Sequence, residues 1–120
     1  MDGATELFAG DAVFRSPVLF KPYHGRDQVV KVLRAAERVL GAGGDSHYLH
    51  QLEDPVDRVA ILEFATVVDG REVEGVDILR FDEEGRITEF KVMIRPASAL
   101  QLVGAKMAEE FAKVGLGLPR

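Results

Sequence analysis

Cysteine is absent from the 120 residues, which excludes disulfide scaffolds, thiol nucleophiles and Cys-based zinc sites and fits a reducing compartment. An excess of positive charge is missing too, since 15 Lys and Arg stand against 20 Asp and Glu for a formal charge of −5. That sign is wrong for a surface that tracks phosphates. No Lys/Arg run or interleaved aromatic stripe changes the reading, so no nucleic-acid partner is expected. No apolar run approaches the roughly 20 residues of a membrane span. The opening MDGATELFAGD lacks the basic segment and apolar stretch of a secretory signal. These absences describe a soluble, cytoplasmic protein with no membrane partner. With no internal repeat or linker in view, residues 1–120 are expected to form one domain. At this length the chain can bury roughly two-thirds of the surface its unfolded form exposes, and its 47% hydrophobic and 29% charged residues are those of an ordinary globular protein.

The stretch with most structure written into it is EGVDILRFDEEGRITEFKVMIRP, from Glu74 to Pro96. It reads as two long strands, Glu72 to Phe81 and Arg86 to Arg95, joined by a turn at Asp82–Gly85. Upstream, Ser46 to Leu52 and Val56 to Val68 read as consecutive strands separated by Glu53-Asp54-Pro55, and Asp69-Gly70 is a hairpin signal. A short helix is expected from Gly3 to Ala9, with Asp2 as N-cap and Gly10 as stop. A strand follows from Ala12 to Val18, with Phe14, Ser16 and Val18 on one face, and Pro17 confines it to an edge or end. Lys21 to Arg26 reads as a loop. From about Asp27 the spacing of Val29, Leu33, Ala36 and Leu40 predicts a helix that Gly41 to Gly44 terminates. After Pro96, Leu100, Val103, Met107, Phe111 and Val114 mark the apolar stripe of a last helix over about Ser98 to Val114. Helix, strand, helix and a four-strand meander predict an α+β fold, with helices packed on one face of a curved antiparallel sheet.

Three segments in this order, LFAGDAVFRSPV, PYHGRDQVVKVL and GVDILRFDEEGRITEF, resemble the nuclear transport factor 2-like superfamily, specifically its SnoaL-like and ketosteroid-isomerase-like branch. The likeness runs from about Leu7 to Arg95. It implies a cone-shaped roll of strongly curved antiparallel sheet around helices, a mostly apolar pocket at the open end and frequent dimerisation. The fold hosts isomerases, cyclases, epoxide hydrolases, dehydratases and non-catalytic binding domains, so the resemblance alone does not choose an activity. Asp77 falls at the position of the isomerase's hydrogen-bond-donating acid. Ser16 falls at the position of its general base, and a serine with no neighbouring base cannot take a carbon-bound proton. The partner tyrosine of the oxyanion hole comes from a first long helix for which this chain has no counterpart. The catalytic Asp that the epoxide hydrolases and SnoaL-like cyclases place near the end of the last strand is replaced here by MIRP, with Arg95.

Strand parity puts Gly75, Asp77, Leu79 and Phe81 on one face and Val76, Ile78 and Arg80 on the other. If the first set lines a pocket, desolvation raises the pKa of Asp77, and its neutral form donates a hydrogen bond to a ligand carbonyl or enolate. The competing reading is a carboxylate satisfied by a neighbouring Tyr, Arg or backbone N–H. Tyr23 and His24, in the loop before the helix, are candidates to assist at the mouth of a cone, His24 as acid or base and Tyr23 as a donor with an apolar body. A His before Gly also commonly holds a turn.

His47 and His50 have opposite parity and are not expected to share a metal; no metal site and no cofactor is expected. Arg95 is expected to form an outer-face salt bridge or dimer contact, and Met93 on the same face suggests a packed subunit interface in a homodimer. Glu63 is either a second pocket acid or half of a buried pair with an Arg. The expected lining is Phe14, Ser16, Val18, Leu33, Leu62, Phe64, Asp77, Leu79, Phe90, Val92 and Ile94. A small apolar, carbonyl-containing ligand is the expected partner, with a carrier or dimerisation module as the alternative. The stripe Leu100, Met107 and Phe111 is expected to cover the side of the cone that lacks a helix, in the same chain or across a dimer.

Overall fold

A computed structural model describes residues 4–41 and 44–119. Asp2 and Gly3, placed above at the start of a helix, and residues 42–43 of the glycine-rich stop lie outside the described residues. A 3₁₀ turn at Ala4–Leu7 leads into β1 (Phe8–Arg15), β2 (Tyr23–His24), α1 (Arg26–Leu40), β3 (His47–Asp54), β4 (Val59–Val68), β5 (Arg71–Phe81), β6 (Ile87–Arg95) and α2 (Ala97–Lys113). The six strands form one curved sheet in the order β2-β1-β6-β5-β4-β3. Every neighbouring pair is antiparallel except β1 and β6, which run parallel.

The meander β3 to β6 follows from its turns. Asp69 (φ 49°) and Gly70 (φ 76°) form a two-residue connection between Val68 and Arg71, the left-handed pair that a twisted hairpin needs. Asp82 Oδ1 accepts from the backbone N–H groups of Glu84 and Arg86 and closes the next turn. Between β3 and β4 the turn falls later than Glu53-Asp54-Pro55. Asp54 stays in β3, and its carboxylate accepts from the N–H groups of Val56 and Asp57, so β4 begins only at Val59.

Both helices lie on the concave face. On α1 the fully buried residues are Val29, Val30, Val32, Ala35 and Val39, one step round the helix from the expected Leu33, Ala36 and Leu40, which are half-buried. The apolar arc is therefore wider than a single stripe, with one side packed and the other facing open space. No side-chain hydrogen bond caps α1, so burial is what holds it, at about 1.5–3 kcal/mol per enclosed valine. Its C-terminus is tied to the sheet where the buried Thr66 hydroxyl donates to the Leu40 carbonyl at 2.7 Å.

Three expectations are corrected. The Gly3 to Ala9 helix is reduced to one 3₁₀ turn, because Phe8 and Ala9 are buried as the start of β1. Phe8 pairs with Ile87 and Val13 with Glu89, so five steps along β1 match two along β6; this bulge breaks the alternation by which a strand is recognised. At its other end β1 stops at Arg15. The Ser16 hydroxyl accepts from the N–H groups of Val18 (3.0 Å) and Leu19 (3.3 Å), so Ser16 and Val18 belong to a turn. Finally, a bulge between Tyr48 and His50 pairs His47 with Ala65 and His50 with Glu63. Both histidines thus share the convex face, against their parity in the sequence.

Candidate functional site

The curved sheet and the two helices enclose a cavity of about 760 Å³. Its sheet wall is carried by Phe64 of β4, Asp77 of β5 and Phe90, Val92 and Ile94 of β6; Phe14 of β1 completes it. Asp77 pairs with Leu62 on one side and Val92 on the other, so the carboxylate stands in an apolar row. Gly75 shapes this wall, because a Cβ there would come within 2.4 Å of the Phe64 ring and 2.7 Å of the Met93 carbonyl. The absent side chain lets Phe64 lie across β5 beside Asp77.

Leu33, Ala36 and Leu40 of α1 form the opposite wall, and Val103, Met107 and Phe111 of α2 form a third. The α2 stripe thus closes one side of the cavity within the same chain, although Leu100 is not on the wall. Gly104 brings α2 close to the turn after β1, where a Cβ would meet Val18 at 3.3 Å.

Burial raises the pKa of Asp77 from 3.8 to about 6. Among the described residues no hydrogen bond or ion pair reaches its carboxylate, so nothing offsets the loss of water around the charged form. Tyr48, half-exposed at the rim, faces the same cavity. Its phenol is pushed upward first by burial and then by the negative charge of Asp77, which places the two groups within electrostatic reach. Glu37 is the other carboxylate on the wall, at the solvent-exposed edge.

Of the residues expected from the sequence, Phe14, Ser16, Val18, Leu33, Phe64, Asp77, Phe90, Val92, Ile94 and Tyr23 border the cavity. Leu62 and Leu79 do not. They share the concave face but pack into the core beneath it. His24 is exposed beside the buried Tyr23 on β2 and is also off the wall. The Tyr23 hydroxyl is engaged, donating to the Gly117 carbonyl at 2.9 Å. Glu63 lies on the convex face, paired at 2.6 Å with His50 and not with an Arg, and Arg95 forms its outer-face ion pair with Glu74. Tyr48 was missed because an unbulged β3 places it on the convex side; only the bulge turns it inward, opposite Phe64. Among the described residues, no three His, Asp or Glu side chains converge as metal ligands, and no helix is long and apolar enough to cross a membrane.

Comparison with known proteins agrees with this architecture. A steroid delta-isomerase from Pseudomonas aeruginosa superposes with a TM-score of 0.87 at 41% identity, covering 93% of this chain and 80% of that one. An uncharacterised bacterial protein with a cystatin-like fold from Silicibacter pomeroyi gives 0.81 at 27% identity, over 92% and 79%. An NTF-2 like protein of unknown function from Burkholderia xenovorans, at 17% identity over 83% and 77%, shares the fold with a TM-score of 0.60. A search of curated proteins gave no significant match. The family model of the SnoaL-like domain matches residues 1–90. With three-quarters of its length matched by that model and a 41% identical structure beside it, the chain belongs to the SnoaL-like domain family.

Proposed function

We propose that residues 1–120 form one SnoaL-like domain that binds a small apolar, carbonyl-containing ligand of polyketide- or steroid-like character. Asp77 serves it as acid or hydrogen-bond donor. The observation that carries this reading is the unpartnered Asp77 carboxyl on an apolar wall, with a pKa of about 6. In the empty cavity at pH 7 such a group is roughly one-tenth protonated. A ligand that displaces water desolvates it further, favours the neutral form and receives its proton as a hydrogen bond. Tyr48 supplies a second donor from the rim. Isomerisation, cyclisation or dehydration is the natural reaction class, and the steroid delta-isomerase neighbour makes steroid isomerisation the first reaction to assay.

A non-catalytic ligand-binding module is the second reading, and one observation favours it. Ser16 stands where the isomerase resemblance places a base, and its hydroxyl accepts from two backbone N–H groups in a turn. Under either reading the protein is a cytoplasmic homodimer that uses no metal or cofactor. The subunit contact is the convex sheet face, where Leu52, Ile61 and Met93 are exposed.

Carboxyl NMR titration tests the role of Asp77. The expected midpoint is near 6 without ligand and higher with a steroid ketone bound, with affinity rising as pH falls toward 6 and levelling off below it. A midpoint at or below 3.8 removes the neutral-donor role. Turnover of the steroid separates enzyme from carrier.

A further inference from the structure

The segment that follows α2 crosses the cavity and is held there by one side chain. After Lys113 the chain turns through Gly115 (φ 70°), and the Leu116 N–H returns to the Phe111 carbonyl at 2.9 Å. Leu116, Gly117 and Leu118 then border the cavity. The Tyr23 ring is 1% exposed and meets Phe111 edge-on at 6.0 Å, and its hydroxyl donates to the Gly117 carbonyl. Apart from that bond, the backbone bonds of Gly115 and Leu116 to the last turn of α2 and the packing of Leu116 on the core, the segment is loosely held, with Leu118 78% exposed.

We propose that residues 115–118 form a strap gating the apolar cavity, and that Tyr23 is the positioning residue that latches it through Gly117. The proposal rests on the ligand-site reading above. Its physical basis is an asymmetry. Tyr23 is anchored on both sides, by β1 pairing and by Phe111, whereas the strap beyond its backbone bonds to the end of α2 gives up only the Tyr23 bond and one partly buried leucine when it lifts. The Gly117 carbonyl belongs to an exposed residue and can accept from water once released, and the Tyr23 hydroxyl, whose residue borders the cavity, is left to water or ligand there. A strap of this kind sets how fast an apolar molecule enters and leaves without choosing its chemistry.

Tyr23→Phe removes the latch and keeps the ring, so the fold is retained. Two readouts are paired, stopped-flow binding of the fluorophore anilinonaphthalene sulfonate and amide hydrogen exchange. The variant is expected to bind and release the fluorophore about fivefold faster, both rates rising together so that Kd changes less than about twofold, since one hydrogen bond is lost from free and bound states alike. Exchange at Leu116–Leu118 rises by a similar factor while Val103–Met107 stay protected. Faster exchange with unchanged binding rates overturns the gate. Protection lost evenly along α2 overturns the latch and leaves Tyr23 as core packing. If neither wild type nor variant takes up the fluorophore, the ligand-site reading fails and the gate with it, an outcome recognisable because the wild type is silent too.

Discussion

Asp77 and Glu63 lie on adjacent strands of one sheet and have opposite chemistry. Glu63 pairs across the sheet with Val76 and Asp77 with Leu62, so one carboxylate points to the convex face and the other to the concave. Glu63 is 43% exposed and bonded to His50. Asp77 is enclosed among aromatic and aliphatic side chains, has no partner among the described residues, and its pKa rises to about 6. Pleat direction alone separates a solvated surface pair from a desolvated acid, so the environment and not the residue type makes the candidate site.

The strongest way to break the contrast is to ask whether the convex face is wet at all. Leu52 and Ile61 stand opposite each other, and Met93 lies 48% exposed on the same face. In the proposed homodimer a substitution there acts twice by symmetry. Met93→Glu is expected to weaken the dimer more than about 100-fold by sedimentation, near 2.8 kcal/mol, and to leave the far-UV spectrum of the monomer unchanged. A wild type that sediments as a monomer discards this interface and makes the convex face an ordinary surface.

The concave side is probed by Asp77→Asn, read by urea unfolding from pH 4 to pH 8. The folded-state pKa is raised, so the protonated carboxyl is favoured in the folded protein. Its contribution is fully present below pH 3.8 and is lost as pH rises through about 6. The shift corresponds to about 3 kcal/mol against ionisation, and partial solvent access at the open cavity trims this to about 2 kcal/mol. Asn carries no charge to lose. The variant should be more stable than wild type by about that amount at pH 8, with the gap closing toward pH 4 and the urea dependence unchanged. Equal stability at pH 8 means that water or a donor already satisfies the carboxylate.

The Asp77 half of this contrast was legible in the sequence. Glu63 was not, because both faces of its strand are apolar and parity left a pocket acid or a buried pair with an Arg open, where the structure has an exposed pair with His50. Along β5 and β6 the alternation from Gly75 to Leu79 and from Phe90 to Ile94 runs without interruption, so parity placed Asp77, Val92 and Ile94 on the inner face directly. In β1 and β3 a bulge intervenes. Each extra residue inverts parity beyond it, which hid Tyr48 from the cavity and brought His47 and His50 onto one face. Helix periodicity located α1 and α2, yet it does not tell a packed arc from one facing a cavity, and Leu33 and Val32 look alike in a stripe. The strap after α2 carries no periodic signal; its position depends on the Tyr23 hydroxyl, a contact across 94 residues.

The smallest expected effect belongs to Glu63→Gln, the counterpart of the same carboxyl-to-amide change at Asp77. The partner His50 side chain is 74% exposed, and surface pairs of this kind contribute roughly 0–1 kcal/mol. Unfolding at pH 7 should shift by less than about 0.5 kcal/mol, against about 2 kcal/mol of opposite sign for Asp77→Asn. Measured across protein concentration, the same variant also reports on the interface. In a monomer the small effect is constant, whereas a dimer that buries the convex face desolvates the Glu63–His50 pair. Breaking the pair then costs more as concentration rises, because an uncompensated group is left at the contact.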